Sequence, residues 1–341
     1  MDIAEQIVGS PRGRRVCANL VAECNSDFLS AVWDATEVST GDRSARVVAA
    51  VATAGPDVIG ALSEEAMMRA VAEAAAFARY WQEPDDIDRV YAHRSVVAAL
   101  RPIAAALLAA PGIDWLASPA DRTNQRWVQW WHRNEWYPKH PQPPDSADLR
   151  QWRDRAVADE ERARWERPVD PSANVSGEWW STPATTQRLA TSRALPLLGA
   201  VQLALMEDSM GWDRARVWPG SVAASVRVFE IDAPDDWARL VEAYPLCVSA
   251  SRRHDWYRTV GRDGDWFIPD WAAVAADYAA VHLSLLGYLT TPGRAIEVAD
   301  GATMLAGWDP DVTYWLRDGC ITVGDKEIEW LREDDRWRSR A

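Results

Sequence analysis

Residues 125–131 read Gln125-Arg126-Trp127-Val128-Gln129-Trp130-Trp131. Side chains alternate across a strand, so this spelling sets Arg126, Val128 and Trp130 on one face and Trp127, Gln129 and Trp131 on the other. The stretch predicts a β-strand. The chain before it reads as helix, and the chain after it alternates short strands with helices. The change of character falls near Pro111. It divides the chain into a helical region over 1–120 and an α+β domain over 121–341, with helices packed on a mixed, mostly antiparallel sheet.

In the first region Ser63 has the chemistry of an N-cap, with Glu64 and Glu65 in the first turn where the helix dipole favours acids. Met67, Val71, Ala74, Ala78 and Trp81 follow at helical spacing, and Pro84-Asp85-Asp86 stops the run. Further helices are expected over 10–33, 43–54 and 95–110, the last kinked or broken at Pro102. In the second region a polar helix is expected over 146–164, after the proline-rich stretch 137–144. Strands are expected over 200–206, 227–231, 246–249, 281–286, 313–316 and 328–331, and helices from Pro234 and over 270–279. No regular β-α-β repeat appears.

The chain of 341 residues carries a net charge of −14. An acidic protein of this kind is not a general nucleic-acid binder and does not suit an anionic membrane surface. No stretch approaches the roughly 18 apolar residues needed to span a bilayer, and the N-terminus lacks the order of a signal peptide, so a cytoplasmic location is expected. Cys17, Cys24, Cys247 and Cys320 form no CxxC pair and read as reduced core residues. The protein is tryptophan-rich, with 21 Trp against 8 Tyr and 4 Phe; the 37 basic residues include two lysines, leaving 35 arginines. Trp, Arg and Ala are GC-rich codon choices, which accounts for both biases. A sugar-stacking platform is the alternative, and it requires most indoles to lie at the surface.

Motifs for P-loop hydrolysis, dinucleotide oxidoreduction, zinc proteolysis and α/β-hydrolase chemistry are absent. None of the five histidines has a partner at metal-ligand spacing, so no metal site is expected. Three features could carry chemistry. Glu207 closes an apolar run expected to be a strand. Arg252, Arg253 and Arg258, interleaved with Trp256 and Tyr257, form a basic cluster that could grip phosphate, since guanidinium forks bind it bidentately. Gly177-Glu178-Trp179-Trp180-Ser181-Thr182-Pro183 places an aromatic pair beside two hydroxyls.

Residues 120–320 resemble a group of uncharacterised bacterial proteins. The likeness lies in the strand Trp179-Trp180-Ser181-Thr182, the segment from Asp236-Trp237 to Tyr244-Pro245, and a closing strand from Gly307-Trp308-Asp309 to Trp315-Leu316. The order of features is also similar to ADP-ribosyltransferase-like domains. That resemblance implies an NAD-handling site in which Arg126 holds the nucleotide, Ser181 and Thr182 shape the nicotinamide pocket, and a late acid stabilises the cation formed as the glycosidic bond breaks. Asp309 stands nearest the expected position of that acid, with Glu207 and Glu297 as rivals. Pro183 occupies the place of a third hydroxyl, and no Gln-x-Glu or Glu-x-Glu motif follows. The residues themselves fix no cofactor; NAD is the one the resemblance implies. Two functions stand side by side: an enzyme taking a small nucleotide, or a non-catalytic interaction module with a protein partner, such as an immunity, adaptor or regulatory protein.

Overall fold

A computed structural model describes residues 2–37, 44–139, 141–185, 187–196, 198–207, 211–299, 301–334 and 336–340. Seven helices open the chain: α1 (Ile3–Gly9), α2 (Pro11–Cys24), α3 (Asp27–Glu37), α4 (Ala45–Gly60), α5 (Glu64–Ala76), α6 (Asp86–Tyr91) and α7 (Arg94–Ala109). Their ends follow from local chemistry. Ser10 accepts from Arg12 N with Pro11 in the first turn, Ser63 accepts from Ala66 N, and Asp85 accepts from Asp88 N. The single helix expected over 10–33 is two, because Asn25 leaves helical geometry; its side chain turns instead to cap Asp27 N and to reach Ala50 O. Gly55, at φ 65° before Pro56, kinks α4. Pro102 is carried inside α7 without ending it. Arg43, which opens the expected 43–54 helix, lies outside the described residues.

After a 3-10 turn (Asp114–Ala117) come β1 (Gln125–His132), β2 (Glu135–Tyr137), α8 (Ser146–Glu166), β3 (Leu189–Leu195), β4 (Gly199–Ala200), α9 (Val201–Ala204), β5 (Arg214–Val222) and β6 (Val228–Ile231). Then follow α10 (Pro234–Ala243), β7 (Pro245–Cys247), α11 (Ser249–Val260), β8 (Phe267–Pro269), α12 (Trp271–Asp277), β9 (Ala280–Leu283) and α13 (Leu285–Thr290). The chain closes with β10 (Ile296–Val298), β11 (Gly301–Thr303), β12 (Val312–Trp315), β13 (Ile321–Val323), β14 (Ile328–Glu333) and β15 (Arg336–Arg340).

The fold is α+β. Among the described residues an 11-stranded sheet runs β15-β14-β5-β1-β3-β12-β9-β6, with β13 on β5, β2 on β1 and β4 on β3. Its pairs are antiparallel except β6 with β9. The alternation read in 125–131 places β1 at the sheet centre between β5 and β3.

Further expectations fail in detail. The helix expected to run through Ala78 and Trp81 ends at Ala76. Residues 200–206 are not a strand: β4 ends at Ala200 and one helical turn follows, its Gln202 N satisfied by Ser192 Oγ at 3.0 Å. A short apolar run does not distinguish strand from buried helix. The strand over 281–286 stops at Leu283, because Ser284 Oγ accepts from Gly287 N and starts α13. Trp179 to Thr182 is irregular rather than a strand.

One core unites both regions. Ile7, Leu20, Val71 and Leu100 of the first helices share it with Trp237, Leu283, Trp308 and Val312. Helix α13 packs against α1 and α2. Nine of the 21 indoles are buried, while Trp33 and Trp165 are exposed. Trp237, Trp271 and Trp308 lie with ring centroids 5.9–6.4 Å apart, and Tyr314 meets Trp308 edge-on at 4.7 Å. Most indoles are therefore packing or partly covered rather than a surface platform. No helix among the described residues is long and apolar enough to cross a membrane.

Candidate functional site

A cavity of about 870 Å³ opens on the sheet face that carries Val128, Ala190 and Tyr314. Trp179, Trp180 and Thr182 form one wall, and the β1–β2 hairpin with its following residues Pro138 and Lys139 forms another. Glu207, Asp309 and Arg188 are among its lining residues.

The wall is held by the basic cluster. Residues 249–260 form helix α11. Its N-terminus is closed by the buried carboxylate of Glu160, which accepts from Ala250 N (2.9 Å) and Ser251 N (2.8 Å), and Gly261 at φ 69° ends it. From this helix Arg252 pairs with Glu178 at 2.7 Å, Arg253 donates to Val169 O at 3.0 Å, and Arg258 donates to Val175 O at 2.9 Å. Asp255 accepts from Ser176 Oγ and Gly177 N, and Trp256 Nε1 donates to Trp179 O at 2.8 Å. The three arginines read as phosphate ligands thus spend donors on fastening the segment 167–179. None of them lines the cavity.

The other expected residues divide. Ser181 is fully buried; its Oγ accepts from Ala306 N at 2.9 Å and its carbonyl accepts from Trp271 Nε1, so it clips the wall to the core. Thr182 lines the cavity beside Tyr314. Arg126, half-buried on β1, donates to its own neighbour Gln125 O at 2.8 Å, and the cavity lining does not include it. Asp309 and Glu207 both line it. Glu297 is exposed and paired with Arg262.

Glu207 and Asp309 form a linked pair. Asp309 Oδ1 accepts from the backbone N–H of Glu207 at 2.9 Å, and Oδ2 from Gln202 Nε2 at 3.0 Å. Burial pushes the Asp309 carboxyl up, while these donors and Arg188 pull it down. Burial is also the main cause that raises Glu207 to about 8; Asp309 adds to the rise, and Tyr80, Arg12 and Tyr288 oppose it. Tyr80 donates its hydroxyl to Glu207 Oε1, and Oε2 is buried with no hydrogen-bond partner among the described residues.

Arg188, one residue before β3, was not singled out by its sequence context. Its guanidinium lies 5.4 Å from the Tyr314 ring centroid, and its pKa is raised chiefly by Tyr314. It is exposed at the cavity lining, and its side chain makes no hydrogen bond or ion pair to the described residues. A cation placed this way is available to an anionic ligand.

On the opposite sheet face lies a closed ionic network. His282 Nδ1 meets Glu230 Oε2 at 2.6 Å and Nε2 meets Asp311 Oδ1 at 3.2 Å, while Arg193 Nε donates to Asp311 Oδ1 at 2.8 Å. Arg193 also holds Ser118 O and Pro119 O, which pins the connection between the two regions. Burial alone would lower the His282 pKa, but its two carboxylate partners outweigh it and raise the value to about 9. Among the described residues no group of three or more His, Cys, Asp or Glu side chains could hold a metal ion.

No family model, curated protein or solved structure matches this chain.

Proposed function

We propose that the cavity is the active site of an enzyme that takes a nucleotide of the NAD class and breaks its ribose–nicotinamide bond. The observation that carries this reading is the acid pair: Glu207 and Asp309 stand together in one indole-walled cavity. Buried acids with shifted pKa values in a cavity of this size are the usual mark of an active site.

Cleavage sends the C1′–N electron pair to the ring nitrogen, so nicotinamide leaves neutral and C1′ becomes oxocarbenium-like. Water or an acceptor hydroxyl then adds to C1′ and gives up its proton. Asp309 supplies negative charge beside the developing cation, oriented by Gln202 and the Glu207 backbone. Glu207, once ionised, takes the proton. Arg188 offers its free N–H donors to a phosphate, and Trp179 with Trp180 offers ring faces for stacking.

Titration calorimetry with NAD, together with a nicotinamide-release assay, tests this reading. Saturable binding that Arg188→Ala abolishes supports it; neither binding nor release sinks it. A second reading, a protein-interaction module, rests on Trp165 and Val169, which are 90% and 81% exposed near the end of α8. It predicts an association that Trp165→Ser removes, with nicotinamide release at background.

A further inference from the structure

The Glu207 carboxyl is approached from outside the sheet region. Tyr80, in the segment after α5, is 1% exposed and donates its hydroxyl to Glu207 Oε1. Its ring lies 5.8 Å from that of Trp179, in the cavity wall. Gly293, at φ 73°, lets the chain close over the same ring: a Cβ there would stand 3.2 Å from Tyr80 Cε1. Tyr288 of α13 is fully buried, and its hydroxyl perturbs both Glu207 and Tyr80 without a well-formed hydrogen bond. Arg12 of α2 is 3% exposed, anchors one donor on Ala74 O at 3.0 Å, and acts electrostatically on all three.

We infer that the helical region is part of the site: Tyr80 from that region, together with Tyr288, are positioning residues that hold the Glu207 carboxyl and govern its proton. The inference rests on the reading of Glu207 as the proton-carrying acid. Two phenols, a guanidinium and a carboxyl buried together are a costly way to fill a core, since each polar group left short of partners costs free energy. Apolar side chains of the same volume would pack as well there. The cost is intelligible where the cluster supports a reacting group.

The charged and titratable groups facing Glu207 are Arg12, Tyr80, Tyr288, Asp309 and Tyr314. Burial and Asp309 hold its proton on; Tyr80, Arg12 and Tyr288 favour its release. Loss of the Tyr80 hydroxyl therefore makes Glu207 harder to ionise.

The test is a carbon-13 NMR titration of protein labelled at glutamate carboxyls, without any ligand, with the Glu207 signal assigned by its loss in Glu207→Gln. The midpoint is expected near about 8 in the parent protein. Tyr80→Phe moves it up by about one pH unit, the size of one charge-assisted hydrogen bond, and Tyr288→Phe moves it less in the same direction. An unchanged midpoint in both variants, each shown folded by circular dichroism, overturns the inference; if Tyr80→Phe fails to fold, Tyr288→Phe alone decides. With NAD, the pH profile of nicotinamide release in Tyr80→Phe shifts upward as well. A profile reduced in height but not displaced assigns Tyr80 a structural role and overturns the inference. Because the titration needs no NAD, its failure is distinct from failure of the proposed reaction.

Discussion

The backbone N–H of Glu207 donates to Asp309 Oδ1 at 2.9 Å, joining positions 102 residues apart. One acid of the pair is thus oriented by the main chain of the other. Any shift of the turn after α9 moves both carboxylates, so the pair acts as a unit.

Glu207 makes stability depend on pH. Its folded pKa of about 8 lies above its ordinary value of 4.5. An acid raised on folding binds its proton more tightly in the native state, so stability is highest below about pH 4.5 and falls as pH climbs through 8. Glu207→Gln removes this fall. At pH 9 the variant is expected to be more stable than the parent by about 1–3 kcal/mol, measured by urea unfolding.

The His282 network has a different signature. Its folded pKa of about 9 exceeds the ordinary 6.5, so its contribution is complete below about pH 6.5 and is lost as pH rises through 9. His282→Gln removes the cation between Glu230 and Asp311 and leaves Arg193 on Asp311. It is expected to cost about 3–5 kcal/mol at pH 6 and much less at pH 10. Comparing the two variants across pH separates the two networks.

Gly307 sits at φ 76°, and a Cβ there would meet Trp180 Cβ at 3.1 Å and the Trp179 ring at 3.2 Å. Gly307→Ala therefore strains the backbone and pushes on the cavity wall. The expected loss is about 1–2 kcal/mol of stability, together with weaker ligand affinity by calorimetry.

The arginines of α11 give the converse result. Arg252→Ala breaks a part-buried contact to Glu178 and frees the segment that carries Trp179. It is expected to destabilise by about 2–4 kcal/mol and to speed amide hydrogen exchange over residues 170–179. Unchanged exchange there, with lost nucleotide binding, would instead favour a direct phosphate contact.

Much of the architecture was legible in the residues, and much of the site was not. The cap Ser63 and the alternation of 125–131 are local signals, and local chemistry sets those elements. The run at 200–206 is not a strand because its conformation depends on a distant partner, Ser192, and the contacts of the arginines at 252–258 likewise lie far off in the chain. Asp309 and Glu207 could be named as acids, but their adjacency across 102 positions leaves no trace in spacing. Arg188 is one of 35 arginines. Only the fold shows that it lines a cavity, stacked on Tyr314 and without a hydrogen-bond partner among the described residues, whereas Arg126 is occupied by Gln125 O. Tyr80 lies in a region that reads simply as helix and turn.

The most direct measurement of the central claim is the pH dependence of nicotinamide release from NAD by the purified protein, run beside Glu207→Gln and Asp309→Asn. Release is expected to rise as pH passes through about 8 and to fall by about 100-fold or more in each variant, in line with loss of a general base or of charge stabilisation. Release at background in the parent protein, or undiminished in both variants, would contradict it.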